Sequence, residues 1–499
     1  MMRSLFSGVS GLKVHQTKMD VIGNNIANVN TVGFKGSSVN FSDVFYQTSQ
    51  YATGPNEATG AAGRNAMQIG LGANLASITA NITQTGGSQR TDNPFDVMIN
   101  GDAFFVVNQG GTNYFTKNGA FNIDAAGTLC TSTGANVMGW QVDKDGNIVK
   151  AAVSPLRIMS PENMYAEPEL TTATYLSGNI DQMDPQLLSE EGFPVQVSFF
   201  DNLGNSYTAK LKVTAKAAGT PLAPSAAEAK AGNYSVTLTD IVDSSDKSVF
   251  AAGGVIGGTT GGGSVTLGGV TYTYDAAKKE FTNPGSFELN FNASNGSFSK
   301  VGATAGAKSV QLKFATAGTG GTVDVFNKMT TDATGKLVAD TAYKGIDIDF
   351  SSLTMYATSG TSKIEPTKGS LDGKGAGLPV GNMTGVSIDT NGKIYGSYDN
   401  GTKKLLGQLA VTTFANPSGL EAVGDSMFAE TQNSGSFDGV GQDPTQGGGT
   451  LSTGVLEMSN VDLSSEFTQM ITTQRGFQAN SRIITTSDTL LEELINLKR

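Results

Sequence analysis

Side chains able to do chemistry are scarce in this chain. Its 499 residues include one histidine, His15, one cysteine, Cys130, and one tryptophan, Trp140. A lone histidine cannot supply the paired ligands of an HExxH zinc site, and a Ser-His-Asp arrangement has to use His15, far in sequence from any nucleophile elbow. Cys130 has no CxxC partner for zinc or redox work and no second cysteine for a disulfide. Gly369 to Lys374 has the wrong spacing for a phosphate loop and lacks Ser or Thr after the lysine. Gly70-Leu71-Gly72 misses the dinucleotide fingerprint, because Leu75 stands where its last glycine belongs. Asp143, Asp145 and Asn147 match the opening ligands of a calcium loop, but Ile148 replaces the turn glycine and Ser154 the bidentate glutamate. No spacing singles out a carboxylate pair. The sequence names no catalytic, cofactor-binding or metal-ligating residue, and a non-enzymatic protein without a cofactor is expected.

The chemistry on offer is association. Leu463, Met470, Phe477, Ile484 and Leu491 recur every seven residues near the C-terminus, with Phe467 and Ile495 filling alternate positions. A seven-residue apolar repeat under-winds a helix and asks for a helical partner. The first thirty residues carry an answering stripe: Leu5, Val9, Leu12, Met19, Ile22, Ile26 and Val29. Residues 4–29 are expected as one helix, and 461–499 as the other. Gly8, Gly11 and Gly23 weaken the first helix by roughly 1 kcal/mol each relative to alanine, while allowing a partner to approach. The Asn24–Asn30 run reads as its exit, through a left-handed asparagine cap. Ser464-Ser465, Thr472-Thr473 and Thr485-Thr486-Ser487 dilute the propensity of the second. Both helices are therefore expected to fray in a free subunit and to order when neighbouring copies cover them.

The elements that present these helices read as β. Asn-Gly or Asp-Gly turns, the strongest hairpin cue, occur at Asn100-Gly101, Asn118-Gly119, Asp145-Gly146, Asn391-Gly392 and Asn400-Gly401. They fall in two blocks, 96–147 and 384–412. Between them lies a stretch of different texture, with strand-like runs at 195–200, 207–213, 234–238, 265–274 and 287–291, broken by Gly/Thr/Ala tracts. The expected fold is α+β and multidomain, the chain folded back so that both ends lie together. Residues 1–30 and 456–499 form a terminal helical domain, 31–90 an extended connecting region, 91–147 and 360–455 an inner β domain, and 148–359 an inserted outer β region. A formal net charge of −11 disfavours nucleic acid and anionic membranes as partners. No run reaches the about 18 apolar residues of a membrane span. Lys13, His15, Lys18 and Asp20 interrupt the apolar residues after Arg3, so no secretory signal is expected there.

Two long segments carry a resemblance. Ser4 to Gly33, SLFSGVSGLKVHQTKMDVIGNNIANVNTVG, resembles the N-terminal signature of bacterial flagellar rod and hook proteins, and Val455 to Arg499 resembles their C-terminal signature. Asn93 to Val107 and Asn416 to Leu420 are similar to that family's first outer domain, and Phe193 to Val213 to the hook members specifically. The resemblance implies that Asn24, Asn25, Ala27, Asn28, Gly33 and Phe34 belong to the family motif. It implies a hook subunit, because rod proteins are shorter and lack a large insertion. Such subunits are exported unfolded by the flagellar type III apparatus without a cleaved signal. They polymerise beneath a hook cap protein, between the distal rod protein and the hook-filament junction protein. Their terminal helices would line the axial channel and their β domains would form outer layers of a flexible, torque-bearing tube. The alternatives are a rod or junction component of the same axis, or a secreted carbohydrate-binding β protein. Residues 47–67 depart from the shortest hook proteins and resemble an extra segment of rod proteins.

Overall fold

The computed structural model describes residues 2–497 apart from 56–59, 61, 144–145, 219–222, 258–260, 283–284, 315–325, 327–328, 332–336, 340–342, 344 and 447–448. It divides into two compact units, one of residues 1–164, 384–397 and 403–499 and one of residues 165–383 and 398–402. The inserted region expected at 148–359 is thus shifted toward the C-terminus, beginning at 165 and running on to 383. The strand Lys363–Lys368 explains the later boundary, since it pairs antiparallel with Ala173–Asn179 and so continues the inserted region's sheet.

The first unit begins with a helix, Met2–Ala27, and closes with another, Leu463–Asn496. The second starts where Asp462 caps it, its carboxylate accepting the Ser464 amide at 2.9 Å. Glu466 in its first turn suits the positive end of the helix dipole. The exit of the first helix differs from expectation. None of Asn24 to Asn30 takes the left-handed conformation. Instead the Asn28 side chain donates back to the Asn24 carbonyl at 2.9 Å, and the chain reverses at Gly33, whose φ is 69°.

After the helix a two-stranded antiparallel ribbon runs out and back. Ser37–Asp43 pairs with Ala73–Ala80, and Tyr46–Gln50 pairs with Met67–Gly70. A two-stranded ribbon is marginal alone; its inner half leans on the N-terminal helix, where Phe41 meets His15 edge to face at 6.1 Å. Farther out, Phe45, Tyr46, Tyr51 and Met67 stay exposed.

The unit's main sheet interleaves both halves of the sequence, in the order Lys393–Tyr398, Lys403–Leu409, Asn136–Gln141, Phe104–Gln109, Thr112–Thr116, Met427–Ala429, Glu421–Gly424. Phe104, Val106, Phe115, Phe414 and Phe428 form part of its core, Phe115 and Phe414 meeting edge to face at 4.7 Å. Asn391-Gly392 and Asn400-Gly401 make hairpins, with Gly392 and Gly401 at φ 74° and 84°. Asn100-Gly101 does not. Its leading strand, Val97–Asn100, pairs with Thr450–Thr453 instead, and Phe104–Gln109 takes Thr112–Thr116 as its hairpin partner. Asn118-Gly119 is likewise no hairpin. Gly119 presents its carbonyl to the Val97 amide at 3.0 Å, an approach with no room for a Cβ.

The second unit holds a seven-stranded and a five-stranded sheet. The first runs Glu280–Thr282, Val270–Asp275, Ser264–Leu267, Ser309–Phe314, Ile346–Thr354, Ala173–Asn179, Lys363–Lys368. The second runs Phe193–Phe200, Ser206–Ala215, Asn233–Asp243, Phe287–Phe291, Phe298–Val301. Alternate residues of both sheets, among them Val197, Phe199, Tyr234 and Leu289 from one and Leu176, Leu312, Ile348 and Phe350 from the other, enter one continuous apolar core. One core makes one unit.

Candidate assembly surface

The two terminal helices pack antiparallel. Ser4 Oγ lies 3.4 Å from Ser487 Oγ at one end, and Asn25 Nδ2 donates to Glu466 Oε1 at 3.2 Å at the other. Between these contacts a Cβ on Gly8 would lie 3.2 Å from Ile484, and one on Gly11 would strike the Asn480 carboxamide. A Cβ on Gly476 would lie 2.7 Å from Nε2 of His15. The seam within one chain is therefore built from small and polar residues. On the C-terminal helix it follows Glu466, Thr473, Asn480 and Ser487, a second seven-residue repeat offset by three from the apolar one. Thr473 and Ser487 are buried there.

The assembly seam read from the apolar repeat is distinct from this intrachain one. Of its N-terminal members only Ile22 is buried; Leu5, Leu12, Met19 and Ile26 are half-buried, and Val9 is exposed. Val14, which that stripe omitted, is buried. On the C-terminal helix Met470, Ile484 and Leu491 flank the seam half-buried, whereas Leu463, Phe467 and Phe477 face outward. Phe467 is 49% exposed, and Ile471, Ile483, Leu490, Leu494 and Ile495 join it. Small residues let the two backbones approach, and these large apolar side chains stay exposed on the C-terminal helix. An apolar patch of this kind on a helix is the mark of an interaction site.

Where the helices leave the β part, the two terminal segments clasp each other. Lys35 and Glu457 form an ion pair of 2.7 Å with side-chain exposures of 1% and 0%. Lys35 also donates to the Gln84 carbonyl at 2.7 Å, and Glu457 Oε1 accepts from the Gly86 amide at 2.9 Å. Gly33 donates its amide to the Glu457 carbonyl at 2.8 Å. Gly36 donates to Asn460 Oδ1 at 2.8 Å, and Asn460 Nδ2 donates on to the Asn81 and Gln84 carbonyls. Nearby, Lys117 is buried, donates to the Gly101 carbonyl, and lies 4.9 Å over the Phe104 ring. Burial pushes its pKa down to about 8, against the opposing pull of Glu457.

The motif residues divide between these features. Asn25 is buried, exchanging hydrogen bonds with the Ser37 backbone at 2.8 and 3.0 Å. Asn24 and Asn28 bond to each other on the surface, Ala27 is exposed, and Phe34 is half-buried. A Cβ on Gly33 would meet the Asn118 amide nitrogen at 2.8 Å, so only glycine fits. Lys35, Glu457, Asn460 and Glu466 were not singled out from sequence. The available signal was the place of Glu457, Asn460 and Glu466 inside the C-terminal signature segment and of Lys35 two residues past the N-terminal one. The calcium-like run includes Asp145, which lies outside the described residues. At its ends Asp143 Oδ1 accepts the Asn147 amide at 2.8 Å and Val142 bridges Ile148, as in a polar hairpin turn.

Three family descriptions match the chain: "Flagella basal body rod protein" over residues 5–35, "Flagellar hook protein FlgE/F/G D1 domain" over 98–165, and "Flagellar basal body rod FlgEFG protein C-terminal" over 452–497. Among whole proteins it is similar to flagellar hook protein FlgE of Borreliella burgdorferi, at 35% identity covering 100% of both chains. The FlgE of Treponema pallidum is 33% identical, again over 100% of both. That of Salmonella typhimurium is 28% identical over 99% of this chain and 100% of its own.

Proposed function

We propose, from the premise that the chain belongs to the flagellar hook protein family and is a structural subunit of the hook, a component of the flagellum at its basal body, that its terminal helices are the polymerisation surface: copies stack helically, and the exposed apolar side chains of one C-terminal helix are covered by helices of its neighbours. The stacked helices then enclose an axial channel, and the assembled tube bends while carrying torque from rod to filament. Export through the flagellar type III apparatus places it outside the cell. The distal rod protein, the hook cap protein and the hook-filament junction protein are its partners at the tube's two ends and during growth. One observation carries the proposal. Within a single chain the helices satisfy each other with glycine, threonine, serine and asparagine, leaving Phe467, Ile471, Ile483, Leu490 and Leu494 uncovered. Each is worth about 1.5–3 kcal/mol when fully buried, so covering them in a neighbour supplies the drive for assembly.

The test is a double charge substitution, Phe467→Asp with Leu490→Asp, assayed by sedimentation and electron microscopy of purified protein. Both positions are exposed on the helix in the single chain, so the β units should keep their wild-type unfolding transition. Polymers should be absent at concentrations where the wild type forms tubes. Tubes of normal yield from the double variant would overturn the assignment.

A further inference from the structure

The chain's one histidine sits where three elements meet. His15 belongs to the N-terminal helix, its imidazole fills the space above Gly476 on the C-terminal helix, and its ring meets Phe41 of the ribbon edge to face at 6.1 Å. Its Nδ1 is buried and has no hydrogen-bond partner among the described residues. A neutral imidazole tolerates one unpaired nitrogen, whereas an imidazolium carries two N–H donors and a charge that need acceptors or a carboxylate.

The surroundings give Nδ1 no acceptor and bring cations rather than a carboxylate. On its own helix Lys18, one turn along, brings a second cation and lies 5.9 Å over the same Phe41 ring. On the C-terminal helix Arg475, next to Gly476, is also a cation and is turned toward Gln478 Oε1 at 3.3 Å. The ribbon presents the Phe41 ring, and its carboxylate at Asp43 is engaged by the Tyr46 hydroxyl. Among the described residues no anion faces the imidazole.

We propose that His15 is a proton-sensitive latch, closing the junction of helix pair and ribbon when neutral and loosening it when protonated. Burial, and to a lesser degree Lys18, hold its pKa below the ordinary 6.5. The unfolded chain thus binds the proton more readily than the folded one. The latch's contribution is complete above the unfolded value, near pH 6.5, and is lost as pH falls toward the folded value. One proton is involved, so the opening equilibrium of the junction rises by at most about tenfold per pH unit across that window.

Because there is one histidine, the test is clean. The full chain, isotope-labelled at histidine, is titrated by NMR under native conditions and in urea. The unfolding transition of the helical ends is then followed from pH 5 to 8 for wild type and His15→Gln. The expected results are a native His15 pKa below the urea value, and a loss of stability below pH 6.5 that the glutamine variant lacks. A native pKa equal to or above the urea value would overturn the proposal, as would an unchanged pH profile in His15→Gln. If that variant fails to fold, the wild-type titration decides alone. The latch operates inside one chain, so failure of polymerisation would leave this result readable.

Discussion

Removing the carboxylate of Glu457 should be among the most damaging single changes available in this molecule. The Lys35–Glu457 pair is almost wholly out of water, and Glu457 also accepts the Gly86 amide through the same oxygen. In Glu457→Gln the carboxamide oxygen can still accept from Gly86 and Lys35, but the buried ammonium is left with neutral acceptors only and no counter-charge. Breaking one partner of a buried pair costs about 3–5 kcal/mol, because the remaining charge is left uncompensated. At a urea slope of about 3 kcal/mol per molar, the unfolding midpoint should drop by about 1–1.7 M. Trp140 is the natural probe, since it is the chain's single tryptophan, is buried in the same unit, and donates its indole N–H to the Ala151 carbonyl at 3.0 Å. Replacing both partners, as Lys35→Met with Glu457→Leu, should recover most of the loss, because no charge is then stranded. A midpoint shift below about 0.3 M in Glu457→Gln, or a double variant weaker than the single one, would refute the reasoning.

Other consequences can be measured in the same unit. Lys117 is depressed to about 8, so the unfolded chain holds its proton to higher pH than the folded one; stability should rise between pH 8 and the ordinary lysine range, and Lys117→Met should remove that rise in pH-dependent urea titrations. Gly476→Ala would help an isolated helix by about 1 kcal/mol, but here the methyl meets His15. The opposite sign, a loss of about 1–3 kcal/mol, is expected by thermal circular dichroism, with recovery on adding His15→Ala. Gly33→Ala combines a left-handed backbone with a collision against the Asn118 amide, and should cost upwards of about 1–2 kcal/mol by denaturant titration.

The parts of this fold legible in the sequence were those set by local rules. The helix ends followed from periodicity, and Asn391-Gly392 and Asn400-Gly401 followed from turn chemistry. What failed was non-local. Asn100-Gly101 has the same turn chemistry, yet Val97–Asn100 pairs with Thr450–Thr453, some 350 positions away. The intrachain seam lies three residues from the apolar repeat, and hydrophobicity alone does not reveal it. Glu466, Thr473, Asn480 and Ser487 keep the same period, but only the glycines opposite them show that closeness, not bulk, joins these helices. Lys35 and Glu457 stand 422 positions apart, and nothing in either neighbourhood names the other.

The central claim is that the outward stripe of the terminal helices is covered by other copies. Hydrogen exchange on residues 5–29 and 463–495, compared between a dilute monomer and the assembled polymer, tests it most directly. The account predicts weak protection in the monomer, since few strong helix formers and a seam of small residues hold the pair, and strong protection in the polymer. Equal and strong protection of both segments in the dilute monomer would contradict it.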